Sequence, residues 1–349
     1  MQDPSPLLAV ILPAYNAEAY LATAVESILA QSYPRFSLLI VDDGSRDGTL
    51  RIAQTFAGKD TRVRVLSLPN GGPARARNAA LDLVQAEGKA DYVVFCDADD
   101  AYLPDAFSSF LAAAASGAEL VLGGFTIVNP DGTRNDYREP SRSLTSAELG
   151  STLADLYKAN LLNQVWGKLF RAELIFSNGI RFPDYRWGED RLFIFRCLSC
   201  CASLEVISEC NYLYYMHTAT SLITGFYEKK AEICLEVDEA ACGLCAQFSV
   251  SDDGWFRTMF LKSIFSCIST LYSPSCPLSY REKRAYVRTI LCKDAVTERL
   301  KHVSGGFFAR ALSLVLRTRS VSLALLAARL AAFLSTASPK LFQRIKHKK

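Results

Sequence analysis

Four short, largely apolar runs punctuate the first part of the chain: Leu7 to Leu12, Phe36 to Val41, Val63 to Leu66 and Tyr92 to Cys96. Between them, over Ala17 to Gln31, Thr49 to Phe56 and Pro73 to Val84, apolar residues recur at helical spacing, and they do so again over Asp105 to Ala115. An apolar run of this length reads as a strand buried on both faces. Strands that alternate with helices need crossover connections, so the pattern predicts an α/β fold with a mostly parallel sheet flanked by helices.

Two of these strands end in carboxylates. Asp42-Asp43-Gly44-Ser45 follows the second and Asp97-Ala98-Asp99-Asp100 the fourth. In an open α/β sheet, ligands bind outside the carboxyl ends of the strands. Crowded carboxylates are costly unless a cation or a positive ligand neutralises them. A site for a metal and a polar substrate is therefore expected here.

Beyond residue 120 the rhythm changes. Leu120 to Val128 reads as one or two strands ending at the Asn129-Pro130-Asp131-Gly132 turn, Thr145 to Phe176 as mostly helical, Glu189 to Cys201 as a helix and Leu204 to Tyr215 as a strand. From Tyr227 onward the pattern is nearly all helical, with a break at Pro274 to Pro277. The stretch Phe307 to Leu334 is strongly apolar yet holds Arg310, Arg317, Arg319 and Arg329, and a basic tail follows it (Lys340, Arg344, Lys346, Lys348, Lys349). Charge-free pieces such as Ser320 to Ala328 are too short to cross a bilayer. The stretch thus reads as an interfacial helix in the headgroup plane, ahead of a helix packed on the core.

Composition narrows the class. The 349 residues allow two domains, or one with an appendage. A net charge of +3 is too small to make the whole molecule an electrostatic trap for nucleic acid. The eleven cysteines sit mostly in apolar contexts, Cys96 in a strand and Cys267 in a helical pattern, and read as buried thiols. Cys242-x-x-Cys245 and Cys197-x-x-Cys200-Cys201 lack the turn residues and the nearby histidine of a zinc site. The N-terminus lacks the charged start and apolar run of a secretory signal, so a cytoplasmic setting is expected.

The junctions after the strands carry the chemistry. Pro13-Ala14-Tyr15-Asn16 places a ring at the sheet edge that could stack on a base. Of Asp42 and Asp43, one is expected to accept from a base N–H or a ribose hydroxyl, the other to brace the turn through Gly44-Ser45. Gly71-Gly72-Pro73-Ala74-Arg75-Ala76-Arg77-Asn78 is a glycine-rich helix entry suited to an anion, with Arg75 or Arg77 within reach of a diphosphate. It is not the phosphate loop of nucleoside triphosphatases, because the Gly-Lys-Ser/Thr ending is missing. Asp97 and Asp99 are hard oxygen donors suited to Mg²⁺ or Mn²⁺, and Asp100 reads as a helix N-cap.

Pro-Ala-Tyr-Asn, Val-Asp-Asp-Gly-Ser, Gly-x-Ala-Arg-x-Arg-Asn and Asp-Ala-Asp-Asp, in this order, resemble the family 2 glycosyltransferases of the GT-A fold over about residues 7–225. The resemblance implies a Rossmann-like GT-A domain over residues 1–225, with a nucleotide-sugar half (1–120) and an acceptor half (121–225), and a helical region over 226–349. It implies that Pro13, Tyr15 and Asp42 hold the nucleotide base and that Arg75 or Arg77 lies near the base or phosphates. Asp97, with Ala98, takes the ribose side and Asp99 the metal, Mn²⁺ or Mg²⁺. Trp166-Gly167-Lys168-Leu169-Phe170-Arg171 resembles the family's Trp-Asn-Lys-Leu-Tyr-Arg segment, with Gly167 in place of asparagine. Gly188-Glu189-Asp190 resembles its Glu-Asp motif, whose aspartate is the general base. Tyr212 to Thr224 resembles its closing segment, but Met216 replaces the usual arginine and His217 follows, a candidate for the phosphates or metal. Trp166 and Trp187 are candidates for stacking on a sugar.

The implied activity is inverting, metal-dependent transfer of a hexosyl or N-acetylhexosaminyl group from a nucleotide sugar, a UDP-sugar, to a hydroxyl of a lipid-linked or cell-surface glycan. The implied place is the inner face of the cell membrane, reached by peripheral contact through the C-terminal region. A nucleotidyltransferase would need a glycine-rich loop with Lys or Arg where Pro13-Ala14-Tyr15-Asn16 stands. An inactive sugar-binding module would have lost Asp97, Asp99 or Asp190, and all three are present.

Overall fold

A computed structural model describes residues 5–217, 226–250, 254–301 and 303–337. The chain divides into two compact units, Met1–Thr218 and Ala219–Lys349. The segment Ser221-Leu222-Ile223-Thr224 of the closing motif and the basic tail lie outside the described residues.

The first unit begins with β1 (Leu8–Ala14), α1 (Leu21–Leu29), β2 (Phe36–Asp42), α2 (Thr49–Ala57), β3 (Val63–Ser67), α3 (Pro73–Glu87) and β4 (Tyr92–Phe95). The four strands are parallel, in the order β3-β2-β1-β4. Each apolar run is a strand and each helical pattern a helix, as expected. The first helix starts at Leu21 rather than Ala17 because the intervening backbone is tied down elsewhere. The Ala17 amide donates to Thr49 Oγ1 at 2.7 Å and that of Glu18 to Asp47 Oδ2 at 3.1 Å.

The unit continues through β5 (Ala101–Tyr102), α4 (Ala106–Ala114), β6 (Leu120–Val128), β7 (Arg134–Tyr137), β8 (Arg142–Thr145), α5 (Ser146–Lys158), β9 (Lys168–Arg171), α6 (Ala172–Ser177), α7 (Glu189–Cys200) and β10 (Ser203–Tyr215). Leu120 to Val128 is a single strand that forms the expected hairpin with β7. The stretch Thr145 to Phe176 differs from expectation: its helix stops at Lys158, and β9 is a strand inserted antiparallel between β4 and β6. Four residues are too few to show a period, and ladder bonding on both sides overrides their local preference. The extended sheet has the order β3-β2-β1-β4-β9-β6-β10-β5, with only β9 and the short peripheral strands reversed. Under it, Phe95 meets Phe170, Phe182 and Phe193 edge to face at 5.5–5.7 Å.

The second unit contains α8 (Lys230–Gln247), α9 (Gly254–Ser269), α10 (Tyr280–Leu291), α11 (Asp294–Arg299), α12 (Phe307–Arg317) and α13 (Val321–Ala337). Pro274 to Pro277 is the break, after which Ser279 and Glu282 form a capping box at the start of α10. The long apolar stretch is two helices, separated at Thr318 to Ser320. Leu316, Val321, Ala324, Leu325 and Ala328 are buried within the unit, so part of the stretch is core. No described helix is long and apolar enough to cross a membrane. All eleven cysteines are free thiols; six are buried and Cys292 is exposed.

Candidate active site

Strand register gathers the motifs. Ala14 pairs with Asp42 and Asp42 with Ser67, so β1, β2 and β3 end level, and the chain after β4 runs on as Asp97 to Asp100 along the same edge. Tyr15 stands there half-exposed, beyond Pro13. Asp42 and Asp43 are both buried, and they divide their work differently from expectation. Asp43 braces the glycine-rich loop, accepting from the amides of Gly71 and Gly72 at 2.8 Å each. Asp42 holds the Gly44-Ser45 turn through the Ser45 amide at 3.3 Å and takes Ser67 Oγ at 3.3 Å. Both bonds are long, which leaves Asp42 with acceptor capacity.

Gly44 has φ +69°, and a Cβ there would lie 2.7 Å from the Asn70 backbone nitrogen and 3.1 Å from the Leu68 carbonyl oxygen. Backbone cannot yield as a flexible side chain does. Gly44→Ala is therefore expected to lower stability by about 2 kcal/mol, a few degrees in Tm, measured by thermal unfolding.

The two arginines of α3 part company. Arg75 makes an exposed pair with Asp184 through Nε at 2.9 Å and Nη2 at 2.6 Å. The Arg77 side chain is only 4% exposed. Its Nη2 donates to Asp97 Oδ1 at 2.8 Å, and its Nη1 to Asp190 Oδ1 at 2.9 Å and Glu189 Oε1 at 3.5 Å. Expected beside a base or diphosphate, Arg77 instead clamps carboxylates from the two strand-end and helix-start motifs. One cation thus joins residues twenty and more than a hundred positions away.

Burial shifts the carboxyls around this clamp, and its cation restrains the shift. Burial opposes the charge on Arg77, but Asp190, Asp97 and Glu189 hold it charged. Burial, reinforced by the Asp190 charge, pushes Glu189 up to about 7 against the pull of Arg77. Burial likewise raises Asp190 above the ordinary carboxylate range; Asp97 adds to the rise, while Arg77 and Lys168 restrain it. Lys168 is fully buried, donates through Nζ to the Trp166 carbonyl at 3.3 Å, and is pulled down to about 7 by burial despite Asp190.

Asp100 is not the N-cap of α4, a position held by Asp105. It is buried and accepts from the Tyr212 hydroxyl at 2.8 Å and the Tyr215 amide at 3.0 Å. The same hydroxyl accepts from the Asp97 amide at 3.1 Å. Tyr212 therefore fastens β10 to the acidic loop, a role that the tyrosine-rich run alone did not disclose. Asn78 was also missed: its amide side chain both donates to and accepts from the Phe182 backbone, at 2.8 and 2.9 Å, holding the segment that precedes α7.

Asp99 keeps a half-exposed carboxylate, raised by partial burial and by Asp97. His217 Nε2 lies 3.7 Å from its Oδ2, is buried and has no hydrogen-bond partner, while the ring packs on Tyr20 at 4.3 Å. A buried imidazole nitrogen facing a carboxylate across a gap too wide for a hydrogen bond fits a divalent cation held by both. Among the described residues, no three acidic, histidine or cysteine side chains are placed so that together they could hold a metal ion. A two-residue donor set suits Mg²⁺ or Mn²⁺, which retain waters and share substrate phosphates.

Trp166 is buried, stacked on Tyr212 at 4.4 Å and Tyr214 at 5.5 Å. So deeply buried and stacked, the ring has the surroundings of a core tryptophan, the alternative to a sugar platform. Trp187 is half-buried beneath the Arg191 guanidinium at 4.9 Å. Gly167 has φ +67°, and a Cβ would meet only Tyr212 Cβ at 3.6 Å. This is the left-handed region that Gly and Asn tolerate best, which explains the exchange of one for the other.

The model of glycosyl transferase family 2 matches residues 9–173. The chain is 30% identical to the glycosyltransferase GlyG of Streptococcus pneumoniae over 246 residues, 67% of this chain and 78% of GlyG. It is 28% identical to the uncharacterized glycosyltransferase EpsJ of Bacillus subtilis over 214 residues, 60% of this chain, and spans only 61% of the length of EpsJ. Among solved structures, residues 1–349 of TarS from S. aureus in complex with UDP-GlcNAc superpose with a TM-score of 0.64 at 19% identity, covering 93% of this chain and 91% of that one. That likeness is one of fold. TarS is a poly(ribitol-phosphate) β-N-acetylglucosaminyltransferase.

Proposed function

The chain belongs to glycosyl transferase family 2, and from that premise we propose that it moves a sugar from a UDP-sugar to a glycan hydroxyl with inversion. The observation that carries this reading is the Arg77 clamp, which sets Asp190 of α7 beside Asp97 of the acidic strand end. An inverting transfer needs a base on the acceptor side close to the donor's anomeric carbon, and the clamp supplies that closeness.

Asp190 takes the proton from the acceptor hydroxyl as its oxygen attacks. Desolvation raises the proton affinity of the base, while Arg77 restrains that rise and aims the carboxylate. Asp97 meets the ribose through the oxygen that Arg77 does not use, and Pro13, Tyr15 and Asp42 receive the base. Asp99 and His217 would hold Mn²⁺ or Mg²⁺, which when bound offsets charge on the departing diphosphate. The first 120 residues then serve the donor and residues 121–225 the acceptor. The solved complex of TarS with UDP-GlcNAc favours a UDP-sugar. The name of TarS, a poly(ribitol-phosphate) β-N-acetylglucosaminyltransferase, supports a polymer as acceptor, and we take that acceptor to be a cell-surface or lipid-linked glycan at the inner membrane face.

The test is thermal stabilisation by a panel of nucleotide sugars, with Mn²⁺ or with chelator. A UDP-sugar at a hundredfold its Kd should stabilise the protein by about 2.7 kcal/mol, and other nucleotides much less. Asp99→Ala should weaken UDP binding at least about tenfold in Mn²⁺ and leave binding in chelator unchanged. Equal binding by the parent with and without metal would remove Asp99 and His217 as a cation site.

A further inference from the structure

The last two helices of the second unit bury one face and leave the other apolar and open. On α13, Val321, Ala324, Leu325 and Ala328 are buried, whereas Leu323, Leu326 and Leu330 are 45–55% exposed. These three recur at i, i+3 and i+7 and form one stripe opposite the buried face. On α12, Leu316 and Ser313 are buried while Phe307, Phe308 and Leu314 are 50–79% exposed. Arg310 and Arg317, seven residues apart, lie exposed along one border of that face. Large apolar side chains grouped like this on a protein surface mark a docking site.

Charge identifies the occupant. No aspartate or glutamate occurs after Glu298, whereas eleven of the chain's 39 lysines and arginines do. All 36 acidic residues therefore precede the two helices. The leucine spacing alone would also suit a helix–helix seam with a second copy. In a two-fold pair, however, each copy would bring the same cations and no carboxylate from these helices to meet them. An anionic bilayer surface supplies both the apolar layer and the opposite charge. We propose that the exposed apolar faces of α12 and α13, with Arg310 and Arg317, form a docking surface for a bilayer containing anionic lipid. The surface deepens the reading of a membrane-borne acceptor and rests on that reading only for its purpose.

The experiment is co-sedimentation of the full chain with vesicles of phosphatidylcholine, with or without phosphatidylglycerol. Binding should require phosphatidylglycerol and fall as salt rises. Leu326→Ser with Leu330→Ser, and separately Arg310→Gln with Arg317→Gln, should each lower partitioning by roughly tenfold or more. Both pairs are exposed, so the unfolding midpoint and the stabilisation by UDP-sugar should match the parent. Absence of vesicle binding, or binding indifferent to lipid charge and to both pairs, overturns the surface. So does a dimer that Leu326→Ser with Leu330→Ser dissociates while the parent ignores vesicles. Vesicle binding without any UDP-sugar effect would instead overturn the enzymatic reading and leave the surface standing.

Discussion

Asp190→Asn should lower sugar transfer by about a hundred- to ten-thousandfold while leaving UDP-sugar affinity within a factor of a few. The amide is nearly the same size as the carboxylate but cannot take the acceptor's proton. Its oxygen can still accept from Arg77 Nη1, which now donates to Asp190 Oδ1 at 2.9 Å, so the pocket's shape should persist. The loss should therefore appear in kcat, with KM for the donor little changed. An unchanged unfolding midpoint would separate lost chemistry from lost fold.

The parent's pH profile offers a second readout. Burial raises Asp190 above the ordinary carboxylate range and pushes its neighbour Glu189 up to about 7. Only the ionised base is active, so transfer should fall on acidification, with an acid limb above the usual range for an aspartate. In Asp190→Asn that limb should vanish from whatever slow transfer remains. Retained turnover with an unaltered limb would remove Asp190 as the base.

The fold's first half was legible because its signals are local. Each buried parallel strand shows as an apolar run, and each covering helix shows its period. β9 was not legible, since Lys168 to Arg171 takes its conformation from β4 and β6 on either side. The site divided along the same line. Motif order located the acidic strand ends and the Glu-Asp pair, but roles inside each motif depend on partners far away in sequence. Asp43 braces Gly71 and Gly72 instead of its own turn, and Asp100 anchors Tyr212 and Tyr215 instead of a helix start. Trp166 is enclosed by Tyr212 and Tyr214. Such contacts join residues whose spacing carries no period.

Arg77 is the clearest such case, and its removal should have the largest effect on stability. Arg77→Met leaves Asp97, Glu189 and Asp190 around a site that has lost its guanidinium. Breaking a buried ion pair by deleting one partner typically costs 3–5 kcal/mol, so a loss of about that size is expected. The loss should depend on pH in a definite direction. In the parent, Glu189 lies at about 7, above its ordinary 4.5, so its stabilising contribution is present below about 4.5 and disappears as pH rises through about 7. Arg77 restrains the rise of both Glu189 and Asp190. Without it both carboxyls should bind protons still more tightly in the folded state, and the loss should continue to higher pH. Urea unfolding should thus show parent and variant nearest at acidic pH and furthest apart above neutrality. Arg75→Met should change stability little at any pH, because its pair with Asp184 is exposed. If Arg77 served only to touch a diphosphate, Arg77→Met would keep the parent's unfolding curve at every pH and weaken UDP binding alone. A clamp predicts the reverse order of effects: stability first, then a base whose acid limb moves upward.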